Sequence, residues 1–155
     1  MKSNQKGFSL IELLIVVGII LIIAAMAIPS LLKSRMAANE ASAVGSVRSI
    51  NTSQVTYSNS CQVYAPTLGE LNTGALCPAG ADTIDVTLAT GVKSGYQITS
   101  IAPGTTAGGT QDTTFDVSAD PITQGVSGQR HFFSNESLVV RVDQAVPATN
   151  VSAPL

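Results

Sequence analysis

The sequence predicts an α+β chain: a long N-terminal helix, in a membrane-length half and an amphipathic half, packed on a small antiparallel β-meander. Three observations predict it. Phe8 to Ile28 is an apolar run of 21 residues broken only by Ser9, Glu12 and Gly18, long enough to cross a hydrocarbon core of about 30 Å as a helix. From Ser30 to about Ser58 apolar residues recur every three or four positions, which is the helical period. After Tyr57 short alternating runs sit between Gly, Pro and Asn turns, as antiparallel strands do. The expected segments are 1–7, a leader; 8–29, a transmembrane helix; 30–58, an amphipathic helix; 59–143, a globular head; and 144–155, an extended tail.

The chain of 155 residues suits one domain with an appendage. Only 12% of residues are charged, about half the share of an ordinary soluble domain, and the deficit is concentrated in the first thirty positions. Lys2 and Lys6 precede the apolar run, consistent with a start held on the cytoplasmic side. Without residues 1–7 the body carries six basic and ten acidic side chains. No Lys/Arg cluster points to nucleic acid.

Glu12 is the anomaly in the apolar run. A carboxylate inside a membrane-length helix costs roughly 2.5–3.5 kcal/mol on insertion scales and is kept where it has a partner or a task. Three fates are open for the segment. An ordinary signal peptide would be cut after Ala27 of Ala25-Met26-Ala27, leaving Ile28-Pro29 at the new terminus and Glu12 as a gratuitous charge. A permanent anchor also leaves Glu12 unexplained. The third fate uses Lys6, Gly7, Phe8 and Glu12 together.

The stretch Lys6-Gly7-Phe8-Ser9-Leu10-Ile11-Glu12, running into Leu13-Leu14-Ile15-Val16-Val17, closely resembles the class III signal of type IV pilins and type II secretion pseudopilins. The resemblance implies that a prepilin peptidase/methyltransferase cuts between Gly7 and Phe8 and methylates the new Phe8 amine. It implies that Glu12 neutralises the amine of a neighbouring copy as helices bundle, so the main partner is the chain itself in a helical homopolymer. Inner-membrane assembly machinery and, before assembly, membrane lipid are the other implied partners. The implied location is a single-pass bacterial inner-membrane protein that becomes an extracellular or periplasmic filament. Pro29 corresponds to the residue that bends the long helix in that family. A simple helix stop is the other reading, although helix-favouring sequence resumes at once. A type IV pilus subunit is the first expectation; a type II secretion pseudopilin, a minor pilin and a non-polymerising anchored binding domain are the alternatives.

In the second half, Leu31, Leu32, Met36, Ala37, Ala41, Val44, Val47, Ile50 and Val55 form the expected inward stripe. Lys33 and Arg35 stand where basic heads meet lipid phosphate or solvent. The small residues Ala38, Ser42, Ala43, Gly45, Ser46 and Ser49 either face neighbouring subunits or form an exposed flank. Fifty residues from Phe8 to Tyr57 would make a helix about 75 Å long, which self-association would cover.

In the head, Thr67 and Glu70 have capping-box spacing for a short helix. The run 82–91 fits a helical turn or an irregular strand. Gly95–Ile101 and Thr113–Ala119 alternate, the latter placing Phe115, Val117 and Ala119 inward, with a Gly/Thr-rich turn at 103–111 between them. Arg130–Ser134 and Ser137–Val142 are expected to form a hairpin across Asn135-Glu136, where similar pilin-like heads often carry Gly. Cys61 and Cys77, the only cysteines, most simply pair in an exported chain; two buried thiols are the alternative.

No enzyme is expected. His131 is the sole histidine, so neither a His cluster nor a relay is indicated. Asp112, Asp116 and Asp120 are spaced too widely on a strand to hold one ion and are read as solvated. No cofactor, catalytic or metal residues are predicted.

Overall fold

A computed structural model describes residues 7–77, 80, 82–102, 114–144 and 146–155. The expected leader therefore lies outside the described residues except for Gly7, as do Lys2, Lys6, Asp112, Thr113 and the turn at 103–111. Two compact units divide the chain, Met1–Arg35 and Met36–Leu155.

The first unit is the N-terminal part of helix α1, Leu10–Cys61. Pro29 lies inside α1 rather than ending it. Its missing N–H removes one bond to the preceding turn, and the residues on both sides are good enough helix formers to carry the helix through. Large apolar side chains from Leu10 to Leu32 are exposed throughout. An 18-residue window of this helix has a mean hydropathy of 3.0 with 0% of it buried, so by length and composition it can cross a membrane.

The second unit, the head, packs the rest of α1 against a six-stranded antiparallel sheet in sequential order. Its strands are β1 (Val92–Lys93), β2 (Tyr96–Ile101), β3 (Asp116–Pro121), β4 (His131–Asn135), β5 (Arg141–Asp143) and β6 (Ala153–Pro154). β2 and β3 fall where alternation predicts strands, and β4 starts within one residue of its expected position. β1 and β6 have two residues each, too few for any periodic signal. Phe115, Val117 and Ala119 are fully buried, as expected, beside Tyr96, Ile98 and Phe132. Short helices α2 (Leu68–Thr73) and α3 (Val86–Ala89) fill the connection from α1 to the sheet. Asp85 caps α3 by accepting the Leu88 N–H at 2.7 Å, which resolves the ambiguous run 82–91 in favour of a helical turn.

Three local expectations change. The first concerns the inward face of α1, which is Glu40, Ala43, Ser46, Val47, Ile50, Asn51, Ser53, Gln54 and Tyr57. Of the predicted stripe only Val47 and Ile50 belong to it, while Leu31, Leu32, Ala37 and Ala41 are exposed. Positions 40, 43, 47, 50, 54 and 57 keep helical spacing, but Glu40 and Gln54 among them are polar, so a hydropathy pattern passes over the true seam. Asn51 and Gln54 bond across the interface, although Asn51 Oδ1 is buried without a hydrogen-bond partner among the described residues. Asn51 Nδ2 donates to Ser134 Oγ at 2.7 Å. Gln54 accepts the Ala65 N–H at 2.8 Å and donates to the Ala65 carbonyl at 2.9 Å. Of the small residues, Ala43 and Ser46 are buried inside the head, whereas Ala38, Gly45 and Ser49 remain on the outside.

The second change is the last hairpin. β5 begins only at Arg141, because Asn135–Leu138 form the turn. The Asn135 side chain accepts the Ser137 N–H at 3.1 Å, and Leu138 takes φ +60°. An Asx turn thus holds the left-handed position that glycine commonly fills. The third is the segment from Gln144, which ends in β6, paired with β5 through Arg141↔Pro154 and Val142↔Ala153. Main-chain pairing needs no hydrophobic pattern, so the sequence did not announce it.

Candidate functional site

The N-terminal residues set the start of α1. Ser9-Leu10-Ile11-Glu12 has the Ser-x-x-Glu spacing of a capping box, and Glu12 Oε2 accepts the Ser9 N–H at 3.0 Å. The Leu13 N–H bonds to the Ser9 carbonyl at 3.3 Å, closing the first turn. Gly7 and Phe8 stay outside the helix. The Gly7–Phe8 peptide therefore lies in non-helical chain just ahead of the cap, in the form a protease can engage. A Cβ added at Gly7 would meet nothing within 4 Å, so the fold does not require glycine there. Phe8 is 90% exposed. Only one carboxylate oxygen of Glu12 is engaged by the cap, which leaves the other for a second donor. The structure thus brings Gly7, Phe8 and Glu12 together within the first turn and its approach. Ser9 belongs with them; the capping spacing could have revealed it, but the apolar run drew attention away. Pro29 stands apart in α1.

Cys61 and Cys77 are joined as a disulfide, with Cα atoms 6.1 Å apart. It links the last residue of α1 to the loop after α2. Beside it the buried Glu70 Oε1 accepts the Leu76 and Cys77 N–H groups at 2.8 and 3.1 Å, and the Tyr57 hydroxyl donates to it at 3.0 Å. Thr67 caps α2 as expected by accepting the Glu70 N–H. The Glu70 carboxylate is turned to the loop instead of closing the box, because it accepts the Leu76 and Cys77 N–H groups there. Burial, then the adjacent Glu70 carboxylate, pushes the Tyr57 hydroxyl up to about 12, so it donates across the working pH range. Cys61→Ser with Cys77→Ser is expected to lower the unfolding free energy by about 3 kcal/mol, because the bridge closes a short loop. Glu70 should still hold the loop, so denaturant unfolding of the double variant should shift its midpoint without loss of the folded baseline.

At the other end of the head, Glu40 is a second buried carboxylate. Its Oε1 accepts the Gln129 and Arg130 N–H groups at 2.9 and 3.3 Å, and Oε2 accepts Arg130 Nε at 2.8 Å. Arg130 also lies over the Phe132 ring, 5.6 Å from its centroid. Burial acts to raise the Glu40 pKa, but these hydrogen bonds outweigh it and hold the group below the ordinary carboxylate value. A lowered folded-state pKa means that Glu40 contributes stability above the ordinary carboxylate range and loses it as pH falls through its folded value. Glu40→Ala is expected to cost about 2 kcal/mol near neutral pH, the worth of a charge-assisted clamp screened on its Arg130 side. The difference in melting temperature from the unsubstituted protein should shrink as the pH is lowered below 4.

His131 Nδ1 is 2.6 Å from Asp120 Oδ1 across β3 and β4. Asp120 is thus held by the lone histidine rather than freely solvated, a correction to the reading of the acidic repeat.

The geometry of the N-terminal segment agrees with comparisons to known proteins. Residues 2–28 match the prokaryotic N-terminal methylation motif. The type IV wide pilus major component PilA4 of Thermus thermophilus is 62% identical over 37 residues, which cover 24% of this chain and 28% of that protein. The match thus spans little more than a quarter of the relative's length. No solved structure matches the chain. The likeness is carried by the N-terminal segment, which has the prokaryotic N-terminal methylation motif and is similar to that of a type IV pilus component.

Proposed function

We propose that the chain is a structural subunit of a type IV pilus-like filament, processed by a prepilin peptidase and polymerised through its N-terminal helix. The observation that carries this reading is the methylation motif at residues 2–28 placed on the N-terminal part of α1, whose large apolar side chains are exposed. Such a surface needs lipid before assembly and other helices afterwards. Cleavage between Gly7 and Phe8 frees an amine one residue before the Ser9 cap. In a bundle, Glu12 of one copy meets that amine of a neighbour, and the close pair offsets the cost of burying two charges. Only one axial offset brings the two groups together, so the pair also selects register. Pro29 would let the membrane part adjust its direction where helices crowd. The description of the similar Thermus protein as a pilus major component favours a surface filament over a short periplasmic pseudopilus.

The test is the intact mass, with N-terminal fragmentation, of protein recovered from sheared filaments and from the cell envelope. A chain beginning at methylated Phe8 is expected. One beginning at Ile28, or still at Met1, would replace this reading with a secreted or simply anchored domain.

A further inference from the structure

A groove of about 410 Å3 follows one flank of α1 within the head, lined by Arg48, Asn51, Thr52, Val55, Thr56 and Leu138. Three of these residues lack something that a visiting surface could supply. Asn51 is buried, and although its Nδ2 donates to Ser134 Oγ at 2.7 Å, its Oδ1 has no partner among the described residues. Turning the amide over would only exchange which of its groups is orphaned, and a buried polar group without a partner is destabilising. Arg48 is exposed and bridges no carboxylate among the described residues, whereas Arg130 is held by Glu40 and Lys93 by Asp85. Leu138 stands at φ +60° and is 48% exposed, with Val139 beside it also exposed. That backbone strains a leucine and not a glycine, which points to a use for the side chain beyond its own turn. A cation, a buried acceptor and an apolar wall together suit a polypeptide surface that brings a carboxylate and a donor.

The chain carries such a surface itself. Without residues 1–7 it has ten acidic side chains against six basic ones. Among the described residues of the head, the exposed carboxylates that bridge no cation are Asp82, Asp116 and Glu136. Glu136 lies on the turn that carries Leu138, and Asp116 pairs with Asn135 where that turn begins. Both are therefore on the groove's own side. Asp82 is not. Ser53 Oγ donates to the Thr83 carbonyl at 2.9 Å, which ties the Asp82–Thr83 loop to the flank of Ser53. Ser53 is two residues from Asn51, about 200° around the helix, so groove and loop occupy opposite flanks of α1. The neighbouring Asp85 is taken by Lys93 at 3.6 Å, which leaves Asp82 as the unbridged charge of its flank.

We infer that Asp82 of one copy enters the groove of the next, where Arg48 meets its carboxylate, so that heads associate side by side. The two patches differ and lie on opposite flanks, and such a heterologous contact propagates from copy to copy instead of closing a two-fold pair. The inference rests on the proposed filament and adds a head-to-head contact to the one made by the N-terminal helices.

Charge reversal in the full-length chain tests this, read as the yield of sheared filaments against processed protein left in the membrane. Arg48→Glu and Asp82→Lys are each expected to lower the yield about fivefold, because an attraction at an interface becomes a repulsion. Arg48→Glu combined with Asp82→Lys re-forms the pair in reverse and should recover the yield to within about twofold of the unsubstituted chain. Both positions are exposed, so thermal unfolding should be the same in all four proteins. A second measurement uses thiols, since Cys61 and Cys77 are joined to each other. Filaments of Thr52→Cys with Asp82→Cys should oxidise into a ladder of linked copies, and neither substitution alone should link. A double reversal no better than the single ones would overturn the pairing, and linking by Thr52→Cys alone would replace it with a two-fold contact. Loss from Arg48→Glu without loss from Asp82→Lys would give the groove another occupant and overturn the assignment. Normal yield from every variant would remove the groove from assembly and leave the proposed function standing. Absence of filaments from the unsubstituted chain would overturn the proposed function and the inference with it.

Discussion

Glu12→Gln is expected to abolish filament assembly while leaving a folded, processed chain in the membrane. Glutamine at this position can still accept the Ser9 N–H that Glu12 accepts at 3.0 Å, so the cap survives and only the charge is lost. The freed Phe8 amine of a neighbour would then enter the bundle without a counter-charge, at a cost of at least about 3 kcal/mol for each subunit added. That corresponds to weakening each addition step more than about a hundredfold. Glu12→Ala removes cap and charge together and should assemble no better than the glutamine variant. Sheared-filament yield, set against processed protein retained in the membrane, separates the possibilities. Normal filaments from Glu12→Gln but not Glu12→Ala would assign the role to capping, and normal filaments from both would end the pairing mechanism.

Replacement of Gly7 by serine or a bulkier residue is expected to stop maturation and leave the leader attached. The structure has open space at this position, so head and helix should be indifferent to the change and circular dichroism should be unaltered. On the proposed function, the requirement for glycine is expected to lie in the pocket of the processing enzyme, with an added side chain rejected there. A loss of at least about a hundredfold in processing rate, roughly 3 kcal/mol in the transition state, is expected. Mass spectrometry of membrane protein reads the result directly. Recovery of chains that begin at Phe8 would show that Gly7 is not what the enzyme reads.

The parts of the chain that were legible in sequence are those where one physical signal acts alone. Phe8 to Ile28 had a single demand, burial in something apolar, and the run states it plainly. The central strands were visible because one face of each is covered, which makes Phe115, Val117 and Ala119 alternate with polar neighbours. The seam of α1 was not visible, because Glu40, Asn51 and Gln54 are buried by virtue of partners on distant loops, and hydropathy carries no record of partners. Glu70 was assigned to a capping box from its spacing to Thr67, but its carboxylate is taken by donors six and seven residues onward. At the candidate site, Gly7, Phe8 and Glu12 were legible as a motif, while the bond that orients Glu12 needed coordinates. The disulfide was the simplest pairing of two cysteines, and the structure contains it.

The polar contacts along the inner face of α1 also bear on how the head carries load. They run from Asn39 and Glu40, through Asn51 and Gln54, to Tyr57, a span of about 27 Å along the axis. A pull directed along α1 meets these bonds side by side, in shear, instead of opening them one after another as at a peeling edge. Sliding the helix by one turn, about 5.4 Å, would leave every one of these donors and acceptors facing the wrong neighbour, with no intermediate registry to rest in. Hydrophobic ridges alone would permit such creep, because one methyl group substitutes for another. The polar teeth make the seat of α1 within the head behave as a lock with one position, so in the proposed filament strain would be passed on to the contacts between subunits.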